Sequence, residues 1–504
     1  MGYPFWDVGI GYGVLMAGIA ILHVFVSHFA IGGGLYLVVT ETAARRAGNT
    51  QKLEFLRGLT KFFVLVTLVF GALTGVGIWF VIGLLNPTAT EALIHHFVWG
   101  WAIEWTFFVV EICAALVYFY GWKRMASRDH LIVGWIYFAA AWLSLFIING
   151  IICFMLTPGR WLVTGGFWDG FFNPTFWPSL VLRTGICIML AGLYAMLVAS
   201  RQKDDEFRRG LVRGNAVWAI VGVAVIIPGW YWYWHAIPAA VTTEAVAAMP
   251  TPITALEIAA WFLAAIALLV VVFGVFLPKR VQTAVAIVLL ACGLGFFGGF
   301  EWMRESIRKP FVIYGYMYGN AVELDRTDTY KRQGYLPDIA FRTGDDGADL
   351  FRHACRSCHT VHGYNPLAST FDGTDPEFVK SMILGVGAIR GNMPPFLGTE
   401  QEAALIAEHI WSLVDQRPFN EIHRESGVAL GEKVFAVRCG RCHVFGGYQD
   451  NRSSIAGLEK DEYDDIFDNG SDFADEMPNF TGDDAERAAL ITYLQSLGEG
   501  GEAR

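Results

Sequence analysis

The sequence predicts an all-α protein of two unlike parts: an eight-helix transmembrane bundle, then two small helical domains of one kind. Three observations lead there. Of 504 residues, 54% are hydrophobic and only 17% charged, fewer charges than a water-soluble chain of this length carries. The apolar character is uneven: it saturates residues 1 to about 302, and from about 320 the chain is polar and rich in Asp and Glu. The polar tail also repeats itself at a constant offset of 84 residues.

A spanning helix needs roughly 20 mostly apolar residues. Eight segments meet that length, near 11–40, 61–85, 97–120, 131–156, 178–199, 214–235, 255–277 and 281–302. The loops after the first, third, fifth and seventh segments hold fifteen Lys and Arg residues, from Arg45 to Arg280, whereas the opposite loops hold only Arg160. The positive-inside rule therefore places the basic loops in the cytoplasm of a bacterial inner membrane, with the N-terminus and the tail on the periplasmic side. The first segment lacks a basic leader and runs straight into a basic loop, so it reads as a retained helix. The net charge of −10 lies largely in the tail. It excludes a nucleic-acid partner and suits a basic soluble one.

The tail holds "CRSCH" (Cys355, Cys358, His359) and "CGRCH" (Cys439, Cys442, His443). C-x-x-C-H is the attachment signature of c-type haem: two thiols bond the porphyrin, and the adjacent His takes the iron. Met393 in "GNMPPF" and Met477 in "DEMPNF" each follow their histidine by 34 residues, and helical runs begin at Glu400 and Asp484. The expected set is thus two covalent haem c groups, with His359 and Met393, then His443 and Met477, on the irons. A thioether opposite His raises the reduction potential. Each unit looks like a small class I cytochrome c, and His362 is the rival ligand. Cys113, Cys153, Cys187 and Cys292 fall singly in apolar segments and read as buried, inert thiols. The expected domains are 1–315 in the membrane, a linker at 316–340, and cytochrome units at 341–418 and 419–504.

The apolar part resembles subunit I of the cytochrome bd quinol oxidases. The run from His23 to Glu41, "HVFVSHFAIGGGLYLVVTE", matches the family's first helix with its haem-ligating His. "WAIEWTFFVVEICAALVYFYGW" resembles the third helix, with Glu104 and Glu111 seven rather than eight residues apart. "RESIRKPFVIYG" resembles the run after the eighth. The resemblance implies that His23 ligates a membrane haem, that Glu305 ligates a second haem, and that Arg308 neutralises propionates. Glu104 and Glu111 would line the haem site and supply protons. It also implies one or more non-covalent haems of b or d type, and a related second membrane subunit.

The departures carry equal weight. Arg183, in "LVLRTG", stands where the family's low-spin haem has its His, and "TALEIAAWF" offers no Met. The long quinol loop is reduced to "HAIPAAVTTEAVAAMPTPI", and the cytochrome tail replaces a ninth helix. Further candidate ligands lie toward the outer face: His95 and His96 at the start of the third segment, His235 at the end of the sixth, and His28. Five residues along a helix put His23 and His28 about 140° apart. His28 either serves a different iron, opposite His235 or a third-segment His, or is hydrogen-bonded to a propionate or a carbonyl. The leading expectation is a respiratory cytochrome in which c haems fed by a soluble donor pass electrons to membrane haems that reduce O2 or a similar small ligand. The alternatives are a quinol:cytochrome c oxidoreductase and a non-catalytic electron wire within a larger complex.

Overall fold

The computed structural model describes residues 6, 8–389, 391–474 and 477–499; the outermost residues assigned to the first and last domains lie outside them. Among the described residues, eight helices are long and apolar enough to cross a membrane: α1 Tyr12–Arg46, α2 Thr50–Leu85, α3 Val98–Gly121, α4 Ser127–Leu156, α5 Phe176–Ala199, α6 Asp205–Ala236, α7 Thr251–Phe276 and α8 Thr283–Ile307. Several outrun their apolar cores. α2 begins eleven residues before its apolar stretch because the Asn49 side chain caps it, accepting from Lys52 N–H. Its first turns are amphipathic, with Phe55, Leu56 and Leu59 buried while Arg57 is exposed. α6 extends likewise from Asp204, whose carboxylate accepts from the N–H groups of Glu206 and Phe207.

The three glycines of "IGGG" set the packing of the first helix. A side chain at Gly32 would strike the Cys187 carbonyl of α5, one at Gly33 the Phe63 ring of α2, and one at Gly34 the Tyr137 ring of α4. Helix α1 thus lies close to three neighbours at one level, as small residues permit in membranes. α5 is the most enclosed of the eight. It meets α6 through Gly185, Gly192, Gly222 and Gly229, where a Cβ would press on the facing backbone. Cys153 and Cys187 are buried as expected, but Cys113 is exposed on α3.

A two-stranded hairpin, β1 Phe311–Ile313 and β2 Met317–Tyr318, follows α8. The tail then forms α9 Asp346–Ala354, α10 Pro376–Leu384, α11 Glu400–Trp411, α12 Gly427–Val434, α13 Lys460–Asp468 and α14 Asp484–Glu499. Two separate apolar cores match the repeat. The segment 316–340 departs from its expected role as a linker. Val322, Tyr330, Tyr335 and Ile339 are buried in the core of the first unit, so this stretch is part of that fold.

Candidate functional site

The two attachment motifs fold as the same turn. Cys358 N–H and His359 N–H donate to Cys355 O at 3.1 and 3.0 Å; Cys442 N–H and His443 N–H donate to Cys439 O at 3.1 and 2.9 Å. In each unit the imidazole Nδ1 donates to a carbonyl six residues on, His359 to Asn365 O at 3.3 Å and His443 to Gln449 O at 3.0 Å. Asn365 and Gln449 both take positive φ, 49° and 46°, to present that carbonyl. With Nδ1 engaged, Nε2 is the nitrogen left for iron. Burial pushes both leading thiols, Cys355 and Cys439, up to about 12. Burial also pulls His359 down to about 4, against the opposing hydrogen bond to Asn365, which keeps the ring in the neutral form a metal requires. Met393 and Met477 are half-buried, and Met393 packs on the first unit's core. His362 is exposed. Two thiols, an oriented imidazole and a thioether in each unit fit a c-type haem.

The first unit is seated on the end of the bundle opposite the basic loops. A Cβ at Gly319, just past β2, would lie 4.0 Å from Cys358 Sγ, and Asn86 Nδ2 at the end of α2 donates to Gly319 O at 3.3 Å. Tyr364 N–H donates to Ile10 O at 3.2 Å and Arg356 Nη2 to Val8 O at 3.3 Å, both ahead of α1. Asn392, beside Met393, reaches Met249 Sδ in the α6–α7 loop at 3.5 Å. The second unit leans on the first: Cys442 packs against the first unit's core, and Tyr448 Oη donates to Ala388 O at 3.2 Å. A cavity of about 300 Å³ lies between the first unit and the bundle, lined by Tyr12, Asn86, Glu323, Asp338 and His353 among others.

In the bundle, His23 is held by α2. Its Nδ1 lies 3.1 Å from Gly71 O and 3.2 Å from Thr74 Oγ1, and Gly71 closes a π-wound turn, Leu65–Gly71. A Cβ at Gly75 would sit 3.0 Å from His23 Cε1. The ring thus rests in a cradle of small residues with Nδ1 engaged, which orients Nε2 as the nitrogen that could hold a metal. Glu104 and Glu111 both face α4, with Ser144 Oγ donating to Glu104 at 2.9 Å and Tyr137 Oη to Glu111 at 3.1 Å.

The second half of the bundle does not fit the low-spin haem of the resembled family. Arg183 is buried and donates to Glu301 at 2.8 Å, and Arg304 grips the other oxygen of Glu301, also at 2.8 Å. Arg183 Nε reaches Ser179 Oγ at 3.3 Å and its guanidinium lies 5.5 Å from the Phe300 ring centre. This ion triad engages Arg183, the residue that stands where the resembled family has its haem-ligating His. Glu305 and Arg308, expected to serve haem iron and propionates, are paired with each other; Arg308 is buried, and Glu305 has a half-exposed side chain.

The remaining histidines do not converge. His28 is buried, donates Nδ1–H to Val24 O at 2.8 Å and packs on Phe297, with Nε2 unpartnered. His235 is exposed and bonded to Tyr231 O of its own helix, so it does not oppose His28. His95 and His96 end a separate short helix, Pro87–His96, instead of opening α3. His95 is exposed, while His96 stacks edge-on against Trp161 and Tyr316. Glu41, which closes the run that resembles the family's first helix but was given no role there, is fully buried with His130, Tyr118 and Arg45, at 2.9, 2.5 and 2.6 Å from its carboxylate. Reading the sequence missed Glu301; an acid at the end of an apolar run was the available signal.

Comparison with known proteins gives two family matches. Residues 14–233 match "Cytochrome bd terminal oxidase subunit I". Residues 342–410 and 427–494 each match "Cytochrome C oxidase, cbb3-type, subunit III". Among solved structures, the bd oxidase from Geobacillus thermodenitrificans superposes with a TM-score of 0.54 at 15% identity, covering 64% of this chain and 93% of that one, a likeness of fold. A search of curated proteins gave no match.

Proposed function

From a chain that joins a cytochrome bd subunit I-type membrane domain to a tandem cbb3-type cytochrome c domain, and is therefore a multi-pass respiratory membrane cytochrome, we propose a cytochrome c-linked oxidase. Electrons from a soluble periplasmic donor arrive at the second unit, pass to the first, and continue into the bundle, where O2 or a similar small ligand is reduced. The observation that carries this reading is the seat of the first unit, with Cys358 of its haem-attachment motif beside Gly319, just past the hairpin that follows α8.

Haem, when bound, supplies one-electron transfer and, at an iron with an open position, binding of a diatomic ligand. The residues supply the rest. Cys355, Cys358, His359 and Met393 hold one covalent haem c, and Cys439, Cys442, His443 and Met477 the other. His23, oriented by Gly71 and Thr74, would hold a b- or d-type haem in the bundle. Glu104 and Glu111 bring protons to it. The Arg183–Glu301–Arg304 triad closes the route a quinol-fed low-spin haem would use, which favours electrons arriving from the tail. The N-terminal residues and the tail touch on one face, opposite the basic loops, which supports a periplasmic tail. A second membrane subunit completes the bundle, and the acidic tail suits a basic donor.

Optical spectra of the reduced protein with and without carbon monoxide test this. The expected result is a shift of a membrane haem band, marking an open iron; no shift refutes the oxidase. A second reading, a quinol:cytochrome c oxidoreductase, draws on the 300 Å³ outer-face cavity, where Glu323, Asp338 and His353 offer proton acceptors beside the first unit. Quinol oxidation by the purified protein would favour it.

A further inference from the structure

Both cytochrome units dock through the same loop, the one that follows the attachment motif and turns a carbonyl to the imidazole. In the first unit, Tyr364 N–H donates to Ile10 O at 3.2 Å, and a Cβ at Gly11 would lie 3.1 Å from Tyr364 Cβ. The equivalent residue in the second unit, 84 positions on, is Tyr448. Its Oη donates to Ala388 O of the first unit at 3.2 Å. Beside it Arg438, the residue before Cys439, lies 3.7 Å from Asp375 and 4.9 Å from the centre of the Phe378 ring. Thr481 Oγ1 donates to the same Asp375 at 2.8 Å. The first unit thus receives the second on the N-terminal turn of α10 and on the segment that leads to Met393.

Two copies of one fold that meet through different surfaces form a heterologous contact, which leaves one surface of each kind open at the ends of the row. Here the loop end of the row is taken by the residues ahead of α1. The receiving end is open. Helices α10 and α13 hold the same place in the repeat, Pro376–Leu384 and Lys460–Asp468, with both bounds shifted by 84. The residues equivalent to Asp375, Phe378 and Ala388 are Glu459, Glu462 and Asp472, and all three are exposed. The neighbouring acids Asp464 and Asp468 are paired with Arg487; among the described residues no ion pair includes these three. Next to Asp472, Phe473 is 57% exposed, whereas its equivalent in the first unit, Ile389, is 8% exposed. An aromatic side chain within a charged rim is the composition of a protein interface.

We propose that Glu459, Glu462, Asp472 and Phe473 form the face on which a soluble c-type cytochrome docks, head to tail, as the second unit docks on the first. The partner brings what the second unit brings to Asp375 and Phe378: a haem-attachment loop with a cationic side chain beside its cysteine. The receiving face of the first unit has one carboxylate at these three positions and that of the second has three, so the partner carries several Lys or Arg residues around that loop. A second copy of this chain does not fit the same way, because both of its loops are engaged, Tyr364 ahead of α1 and Tyr448 on the first unit. That the partner gives electrons instead of taking them rests on the oxidase reading; the docking face itself does not.

The test uses the full-length, haem-loaded protein in detergent and, as probe, a strongly basic class I cytochrome c. Binding is followed by surface plasmon resonance with both proteins oxidised, so that no electron flow enters the readout. The triple variant Glu459→Gln, Glu462→Gln, Asp472→Asn keeps side-chain shape and, at Glu462, the oxygen that accepts from Glu459 N–H. It is expected to slow association at least about 10-fold at low salt and to flatten the salt dependence. Phe473→Ser should instead speed dissociation about 10-fold. A control of equal charge change, Glu408→Gln, Glu421→Gln, Glu432→Gln, removes three other exposed carboxylates and should stay within about 2-fold of the wild type. Haem content and spectra are expected to be unchanged in all of them. Equal slowing in the control, or wild-type binding by the triple variant, overturns the proposal. So does self-association of the chain in sedimentation that the triple variant abolishes, which would give the face to a second copy. If carbon monoxide spectra refute the oxidase while the triple variant still binds the probe more slowly, the docking face stands and the direction of electron flow falls.

Discussion

Glu402 in the first cytochrome unit and Glu486 in the second are equivalent residues, 84 apart. Both are buried, at 4% and 3% exposure, and a buried carboxylate needs partners. They find different ones. Glu402 accepts from the backbone N–H groups of Tyr335 and Leu336 at 2.8 Å and of Thr399 at 3.0 Å. Glu486 instead takes the Arg438 guanidinium at 2.6 Å, whose other nitrogen reaches Thr481 at 3.1 Å. Ala354 stands where the first unit would have that arginine. The first unit is thus fastened by the segment that leads out of α8, so its core and its seat on the bundle are one structure. The second draws its counter-charge from its own π-wound turn, Phe435–Cys439, and the same Arg438 lies 3.7 Å from Asp375 of the first unit, to which Thr481 also donates at 2.8 Å. One sequence pattern has been kept at the haem-attachment motifs, while the surroundings have diverged, so that one unit docks on the bundle and the other on the first unit.

The largest effect should come from removing one haem at a time. Cys355→Ala with Cys358→Ala is expected to stop reduction of the membrane haems by any donor that acts through the tail. Cys439→Ala with Cys442→Ala should stop reduction by a protein donor but leave reduction by a small mediator that reaches the first unit. Stopped-flow spectra of the membrane haems, with haem staining to confirm that one covalent haem remains, separate the two. Equal behaviour of the two double variants would show that the units do not act in series.

Next in size is the counter-charge. Arg438→Met strips Glu486 of its partner and should cost the second unit about 3–5 kcal/mol. Glu402→Gln keeps the acceptor oxygen in the first unit and should cost roughly 1–2 kcal/mol. Denaturant unfolding read unit by unit checks the ratio; a larger loss for Glu402→Gln would reverse the comparison. A smaller change is expected at the thioethers. Met393→Leu or Met477→Leu should lower the potential of its own haem by on the order of 0.1 V and leave the other unmoved, as measured by redox titration. No fall in potential would remove that Met from the iron.

The tail was the more legible half in the sequence, because covalent attachment demands a fixed local motif and the repeat displays it twice. The membrane helices were legible too, since apolar length alone selects them. What escaped was pairwise and non-local. Nothing in "LVLRTG" states that Arg183 will meet Glu301, which is 118 residues away. The expectation that segment 316–340 links two domains failed because Tyr330 and Tyr335 complete a core whose helices come later. The α3–α4 contacts were half visible: Glu104 and Glu111 stood out as acids in an apolar run, but Tyr137 and Tyr118 look like ordinary membrane aromatics until the antiparallel register sets them opposite polar partners.

The smallest expected effect is a difference in acid response, and here the two units should diverge in sign. Asp349 in α9 is 1% exposed. Burial pushes its carboxyl up, but the Thr343 N–H and hydroxyl and the Arg352 guanidinium outweigh that and leave it below its ordinary value of 3.8. The unfolded chain therefore takes up this proton first as pH falls. The stabilisation is complete above about pH 4 and is lost as pH drops through the folded value. The second unit has Lys433 at that position and draws nothing from it. Its Glu486 shifts the other way, raised by burial against the pull of Arg438. Its contribution is present below about pH 4 and fades as pH rises through the folded value. Urea unfolding at about pH 6 and about pH 3.5, read from Soret circular dichroism in chains that lack the other unit's cysteine pair, isolates each unit. On acidification, Asp349→Asn should make the first unit lose less than the wild type does, and Glu486→Gln should make the second lose more. If both variants follow the wild type, neither carboxylate sets the acid limb, and the contrast between the two units is confined to their partners at neutral pH.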